Sequence, residues 1–370
     1  MVPYKITTNV LFLLIAPVLL CTGCKLKDGC ALPALNGESQ YAQLLSTDHP
    51  DDSTYTYYIV NPWKQSQILT SYTTCPAKAF NNVIVTTNCH AALFSELGIA
   101  DRIAGICEIE YVSDSTVNSL YNQGKIANCG SSMSPNIETI IDLNPDAIFV
   151  SPFENSNYGA LEKLKIPLIE CADYMETSPL GRAEWIPFFA SLMGVPQKGD
   201  SLFNAVKERY IELCNVADSA KNIDGSPTVM TDMISSSAWY VPGGKSTIGQ
   251  LIQDAGGTYI FGYIEKNGSV PLSKETVLDQ AQDADFWFIK NSTFSTVTYS
   301  SIEKEWSSYS LFKPFAQHNI WVCPVYQVPY FEQTAFHPEY LLEEFITILH
   351  PGLDIRSTHY PRYYTPLPTQ

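Results

Sequence analysis

The feature that most constrains this chain is an alternation that occurs twice, on either side of one long helical segment. From Asn82 the first series predicts a strand at Val83–Val85, a helix at Cys89–Leu97 closed by Gly98, and a strand at Ile103–Ile106. A short helix at Ile137–Leu143, a strand at Asp146–Val150 after Pro145, and a strand at Leu168–Glu170 follow. Beyond Gly225-Ser226-Pro227 the pattern restarts with a strand at Thr228–Thr231 and helices at Ser246–Ala255 and Lys274–Ala281. A strand at Phe286–Lys290 and a closing helix at Tyr340–Leu349 complete it. Elements alternating at this spacing imply parallel sheets covered by helices. Between the two series, Gly181–Met193 and Asp200–Asn222 carry Trp185, Phe188, Phe189, Phe203, Val206, Tyr210 and Leu213 at helical intervals. The layout that follows is two βα lobes joined by one long helix.

The first residues have a different character. Lys5 supplies a positive charge, and Val10–Leu20 form an apolar core of secretory-signal length, too short to read as a membrane-spanning helix. Leu20-Cys21-Thr22-Gly23-Cys24 then resembles a bacterial lipobox, in which the cysteine after a small residue is acylated. Leu20 stands one place early and Cys21 occupies the usual leucine position. The reading is a leader over 1–23 and lipidation at Cys24, with an ordinary signal peptide or a short membrane anchor as alternatives. Residues 24–54 are polar and read as a tether, and Tyr55–Val60 with Gln67–Tyr72 read as a β-hairpin segment over 55–81. The remaining boundaries are 82–178 for the N-lobe, 179–225 for the connecting helix and 226–370 for the C-lobe. Besides Cys21 and Cys24 eight cysteines remain, an even number that permits disulfides in an exported protein, and none of them has CxxC spacing. A net charge of −16 argues against nucleic acid as a partner.

Four segments, in order, carry a family resemblance: Leu97-Gly98-Ile99-Ala100-Asp101-Arg102-Ile103, Asn136-Ile137-Glu138-Thr139-Ile140 running to Leu143-Asn144-Pro145-Asp146, Asp254-Ala255-Gly256-Gly257, and Ser273-Lys274-Glu275-Thr276-Val277-Leu278. Together they resemble the helical-backbone substrate-binding proteins that serve ABC importers of vitamin B12, ferric siderophores and haem. The resemblance runs from about Asn82 to Gly352. It implies an α/β fold of two Rossmann-like lobes with central parallel sheets, one long rigid backbone helix and a ligand cleft between the lobes. It also implies an extracytoplasmic location and an ABC permease dimer as partner; the lipobox-like Cys24 adds the membrane anchor, and no enzyme activity is expected. Glu138 and Glu275, one at the top of each lobe, would then dock onto permease arginines through charge-assisted contacts. Their alternative role is to favour the first turn of their helices. The segment Ser178–Trp185 and the hairpin before residue 82 depart from the usual pattern.

Ligands of open α/β sheets sit beyond the carboxyl ends of the strands. The loops expected there contain Lys266 and Lys290 but no arginine, together with eight acids and many rings. Tyr111, Met133, Phe153, Tyr174, Trp239, Tyr240, Tyr326 and Phe331 are the expected ligand-binding residues. A polyanionic catecholate or the propionates of haem would want arginine, whereas a corrinoid with amide side chains would want aromatic walls and acceptors. A corrinoid is therefore the expected ligand, with an iron chelate or haem as the alternative. No resident cofactor or metal is expected; His90 reads as a hydrogen-bonding residue at a helix start, and His337 draws still less of a metal reading. The chain shows no nucleophile elbow, zinc-protease helix or P-loop; Gly243-Gly244-Lys245-Ser246-Thr247 has Trp239 where a P-loop needs its first glycine. A metal-cofactor enzyme or assembly factor with a two-lobed cleft, and a surface lipoprotein working without a permease, are the readings of other classes.

Overall fold

Val83–Val85, Ile103–Ile106 and Ala147–Val150 are buried along their whole length, as strands covered on both faces must be. In this computed structural model, which describes residues 39–51, 54–64, 67–74, 78–155, 157–353, 355 and 362–369, they form the centre of the N-lobe sheet. Its order is 168–170, 147–150, 83–85, 103–106, 127–128, and every pairing is parallel. The C-lobe repeats the plan with 258–259, 228–231, 286–291 and 320–324 in parallel. Thr365–Pro366 closes its edge antiparallel to Ile320–Pro324. Caps fix where three of the helices begin: the Asn136 side chain accepts from Thr139 N, and the Ser246 and Ser273 side chains accept from Gly249 N and Thr276 N.

The backbone helix spans Pro196–Asp224, 29 residues, or roughly 43 Å at 1.5 Å per residue. Phe203, Val206, Tyr210, Leu213, Ala217 and Ala220 bury one stripe of it. The segment 179–225, expected to hold helical runs at Gly181–Met193 and Asp200–Asn222, forms three helices, Pro179–Ala183, Ile186–Leu192 and Pro196–Asp224. Gly194, at φ 70°, ends the second, and Pro196 starts the third at a first-turn position. Close approach follows: a Cβ on Gly199 would lie 2.3 Å from that of Ala190.

Within the described residues, the polar segment expected to be a tether contributes a strand to an extra sheet. Leu45–Asp51 (β1) pairs antiparallel with Thr54–Val60 (β2), which pairs with Ile68–Thr74 (β3). Two buried or half-buried carboxylates hold its entry. Glu184 accepts from the backbone N–H groups of Gln40, Tyr41 and Ala42, and Glu176 from those of Gln43 and Leu44. The segment Ser178–Trp185 that departs from the family pattern is thus the fixture for this extra sheet. Leader residues 1–23 and Cys24 lie outside the described residues, as do Cys30 and Cys75. Cys89, Cys107, Cys129, Cys171, Cys214 and Cys323 are all free thiols. Among the described residues no helix is long and apolar enough to cross a membrane.

Candidate ligand-binding cleft

Loops at the carboxyl ends of both sheets face each other across two adjoining cavities. One, about 700 Å³, is lined by Thr86–Asn88, Glu108 and Glu110–Ser113 from the N-lobe and by Phe294, Val325–Pro329, Phe331 and Glu332 from the C-lobe. Tyr111 and Tyr326 meet across it with ring centroids 5.8 Å apart, and Phe294 stacks on Tyr326 at 5.4 Å. These rings are 50%, 45% and 74% exposed. The charged residues of this compartment are Glu108, Glu110 and Glu332. Glu332 reaches across to the N-lobe, accepting from the backbone N–H and the hydroxyl of Ser113. Burial pushes its carboxyl above the usual range.

The other cavity, about 810 Å³, shares Val325 and Phe331 with the first and is lined further by Tyr174, Arg182, Asp232, Tyr240 and Lys290. Arg182 is held from behind. Its Nε donates to Asp173 Oδ2 at 3.1 Å, and His90 Nε2 meets Asp173 Oδ1 at 3.1 Å. Burial opposes ionisation of Asp173, but His90 and Arg182 outweigh it and keep its carboxyl below the usual range. Lys290 Nζ lies 3.7 Å from Asp232 Oδ1. There burial prevails over the lysine, and the Asp232 carboxyl is raised.

Cys89, His90 and Asp173 also place ligand atoms within 4.8 Å of one another. Arg182 already occupies Asp173 and its Nη2 lies 3.8 Å from Cys89 Sγ, setting a fixed cation where an ion would sit. Burial raises the Cys89 thiol, which leaves it protonated. The cluster therefore works as a support for Arg182.

Of the expected ligand residues, Tyr111, Tyr326 and Phe331 line the first cavity, and Tyr174, Tyr240 and Phe331 the second. Met133 and Phe153 are exposed but line neither. Trp239 is a correction. It is 0% exposed and stacks on Trp287 at 5.7 Å, its Nε1 donating to Thr231 O. No ligand can reach its face. The expectation of a cleft without arginine is also corrected, because Arg182 lines it from the helix Pro179–Ala183, just beyond the expected loop Asp173–Thr177. Phe294 and Glu332 stand in loops expected to face the cleft, whereas Arg182 was not singled out from sequence.

Residues 83–308, more than half of the chain, match the family described as periplasmic binding protein. The chain belongs to the periplasmic binding protein family. Among curated relatives of this binding protein, an uncharacterized lipoprotein of Methanocaldococcus jannaschii is 28% identical over 248 residues, covering 66% of this chain and 58% of the relative. The match thus spans less than two thirds of that relative's length. Among solved structures, the periplasmic vitamin B12 binding protein of Vibrio cholerae is 15% identical with a TM-score of 0.53, covering 75% of this chain and 99% of that one. A periplasmic heme binding protein from Pseudomonas aeruginosa is 13% identical with a TM-score of 0.58, covering 75% and 96%. At these identities the likeness concerns the fold. Within this binding protein, Glu138 and Glu275 occupy matching places, each exposed in the first turn of a capped helix, one per lobe.

Proposed function

We propose that this chain is the lipid-anchored, extracytoplasmic ligand-capture component of an ABC importer and that its ligand is a corrinoid. The observation that carries the ligand is the 700 Å³ compartment, where Tyr111, Phe294, Tyr326 and Phe331 stand beside Glu108 and Glu110 with no lysine or arginine in the lining. Such a wall repels a tri-anionic catecholate chelate, while flat aromatic faces and carboxylate acceptors suit a corrin edge bearing amides. The vitamin B12 binding protein among the structural neighbours supports the class. Acylation at Cys24 would hold the chain at the membrane, and Glu138 with Glu275 would dock it to the permease dimer.

Calorimetry on the full chain in detergent, with cyanocobalamin, haemin and a ferric catecholate, tests the ligand. Tight binding of cyanocobalamin is expected; no heat with any corrinoid and tight binding of the catecholate would overturn it. Haem is the second reading, favoured by Arg182 and Lys290 as partners for propionates and by the exposed Tyr111. Replacing Glu138 and Glu275 together by Ala should abolish permease association and leave ligand affinity nearly unchanged. A variant that docks normally but has lost its ligand would show that the surfaces are assigned wrongly.

A further inference from the structure

The two compartments of the cleft differ in sign. In the 700 Å³ compartment every charged lining residue is an acid. In the 810 Å³ compartment Arg182 and Lys290 face Asp232 and Glu305. Val325 and Phe331 line both, so one ligand can touch the two at once.

The cationic end is built rather than incidental. Asp173 is 1% exposed and takes Arg182 on one oxygen and His90 on the other, which fixes the guanidinium while its side chain stays 26% exposed. Nη1 of Arg182 carries no hydrogen bond among the described residues, whereas Nε and Nη2 are used. Lys290, 29% exposed, stands 3.7 Å from Asp232, beyond hydrogen-bond length, so its ammonium can donate to another acceptor. The two acids behind these cations offset most of their charge. What remains suits a single anionic group held by directed hydrogen bonds and would not neutralise several.

We infer that the cleft is divided to hold a dipolar ligand, with the cationic cobalt–corrin core in the ring-and-acid compartment and the one phosphodiester of a nucleotide loop at Arg182 and Lys290. The inference rests on the corrinoid reading and adds a preference to it: complete corrinoids over those that lack the nucleotide. Glu108 and Glu110 supply the field for the core, and Tyr111 and Tyr326 its flat walls. An incomplete corrinoid would satisfy the first compartment and leave Nη1 of Arg182 and the Lys290 ammonium without an anion.

The test compares cyanocobalamin with aquacyanocobinamide, which keeps the corrin and lacks the phosphodiester, by calorimetry on the full chain in detergent. Wild type should favour cyanocobalamin by at least about tenfold. Lys290→Gln should narrow that gap, and Arg182→Gln with Lys290→Gln should bring it within about twofold, with cobinamide affinity held. Should the Arg182 change unfold the chain by stranding Asp173, the Lys290→Gln variant still decides. Equal wild-type affinities for the two corrinoids, or a gap that Lys290→Gln leaves untouched, would overturn the division of the cleft while leaving the corrinoid reading intact. Binding of haemin with no response to either corrinoid would overturn both.

Discussion

Two aromatic groups in this protein look alike in sequence and do opposite things. Trp239, Trp287, Tyr309 and Phe312 form a closed cluster in the C-lobe, each 0% exposed, with ring centroids 5.3–5.7 Å apart. Tyr111, Tyr326 and Phe294 form an open ladder across the cleft. The difference lies in the backbone beneath them. Trp239 and Val241 are the inward pair of the strand Ala238–Pro242, and Tyr240 between them points out, as the two-residue period of a strand dictates. Of the ladder rings, Tyr111 ends the short 3-10 helix Ile109–Tyr111 and Tyr326 and Phe294 stand on loops, where no sheet takes them inward. Both indole N–H groups of the cluster find carbonyls, Thr231 O for Trp239 and Asp232 O for Trp287, so burial leaves no polar atom stranded.

The sharpest way to break this comparison is Trp239→Ala. If the cluster is core, the variant should lose about 3–5 kcal/mol of stability, the scale for deleting a buried indole, while the folded fraction keeps its ligand affinity. Urea unfolding followed with calorimetry separates the two; a tenfold weaker ligand with unchanged stability would return Trp239 to the cleft.

Trp239 also marks the limit of what could be read in advance. Strands 83–85, 103–106, 168–170 and 228–231 and helices 137–143 and 274–281 were legible to the residue, because continuous apolar runs and cap residues are local signals. Which of Trp239 and Tyr240 faces in is set by register with the strand Ser269–Leu272, about thirty residues away. The strand Leu45–Asp51 contains Asp48 and Pro50 and has no strand pattern; pairing with β2 and capture of its entry by Glu176 and Glu184 create it. Arg182 entered the site through Asp173 and His90, the latter 92 positions earlier in the chain. The lobe bridge from Ser113 to Glu332 spans 219 positions. Contacts of that reach leave no local trace.

Tyr326→Ala sharpens the comparison from the other side. Its ring lies between Tyr111 and Phe294, half exposed, so its removal should change stability by no more than about 0.5 kcal/mol. Affinity for cyanocobalamin should fall by about 1–3 kcal/mol, the scale for a ring contact that ligand closes over. A variant that unfolds early but binds normally would place Tyr326 with the core.

A third ring pair belongs to neither group, and its effect is the smallest. His337 stacks flat on Tyr340 at 4.5 Å and 8°, with Arg362 over the far ring at 3.6 Å. Its Nε2 meets Glu96 of the N-lobe at 2.6 Å and its Nδ1 meets Glu339 at 2.7 Å. Burial alone would lower the imidazolium's pKa, but the bonds to Glu339 and Glu96 prevail and raise it from 6.5 to about 9. Because the folded value lies above the unfolded one, the contribution is whole below pH 6.5 and is lost as pH rises through 9. Glu96 is 40% exposed, so water screens half of the bridge and the loss should be only about 1–2 kcal/mol. Urea midpoints taken from pH 6 to 9.5 should fall more steeply for wild type than for His337→Gln, since other groups titrating in that range are common to both. Parallel slopes would mean that His337 contributes through its packing on Tyr340 and not by charge.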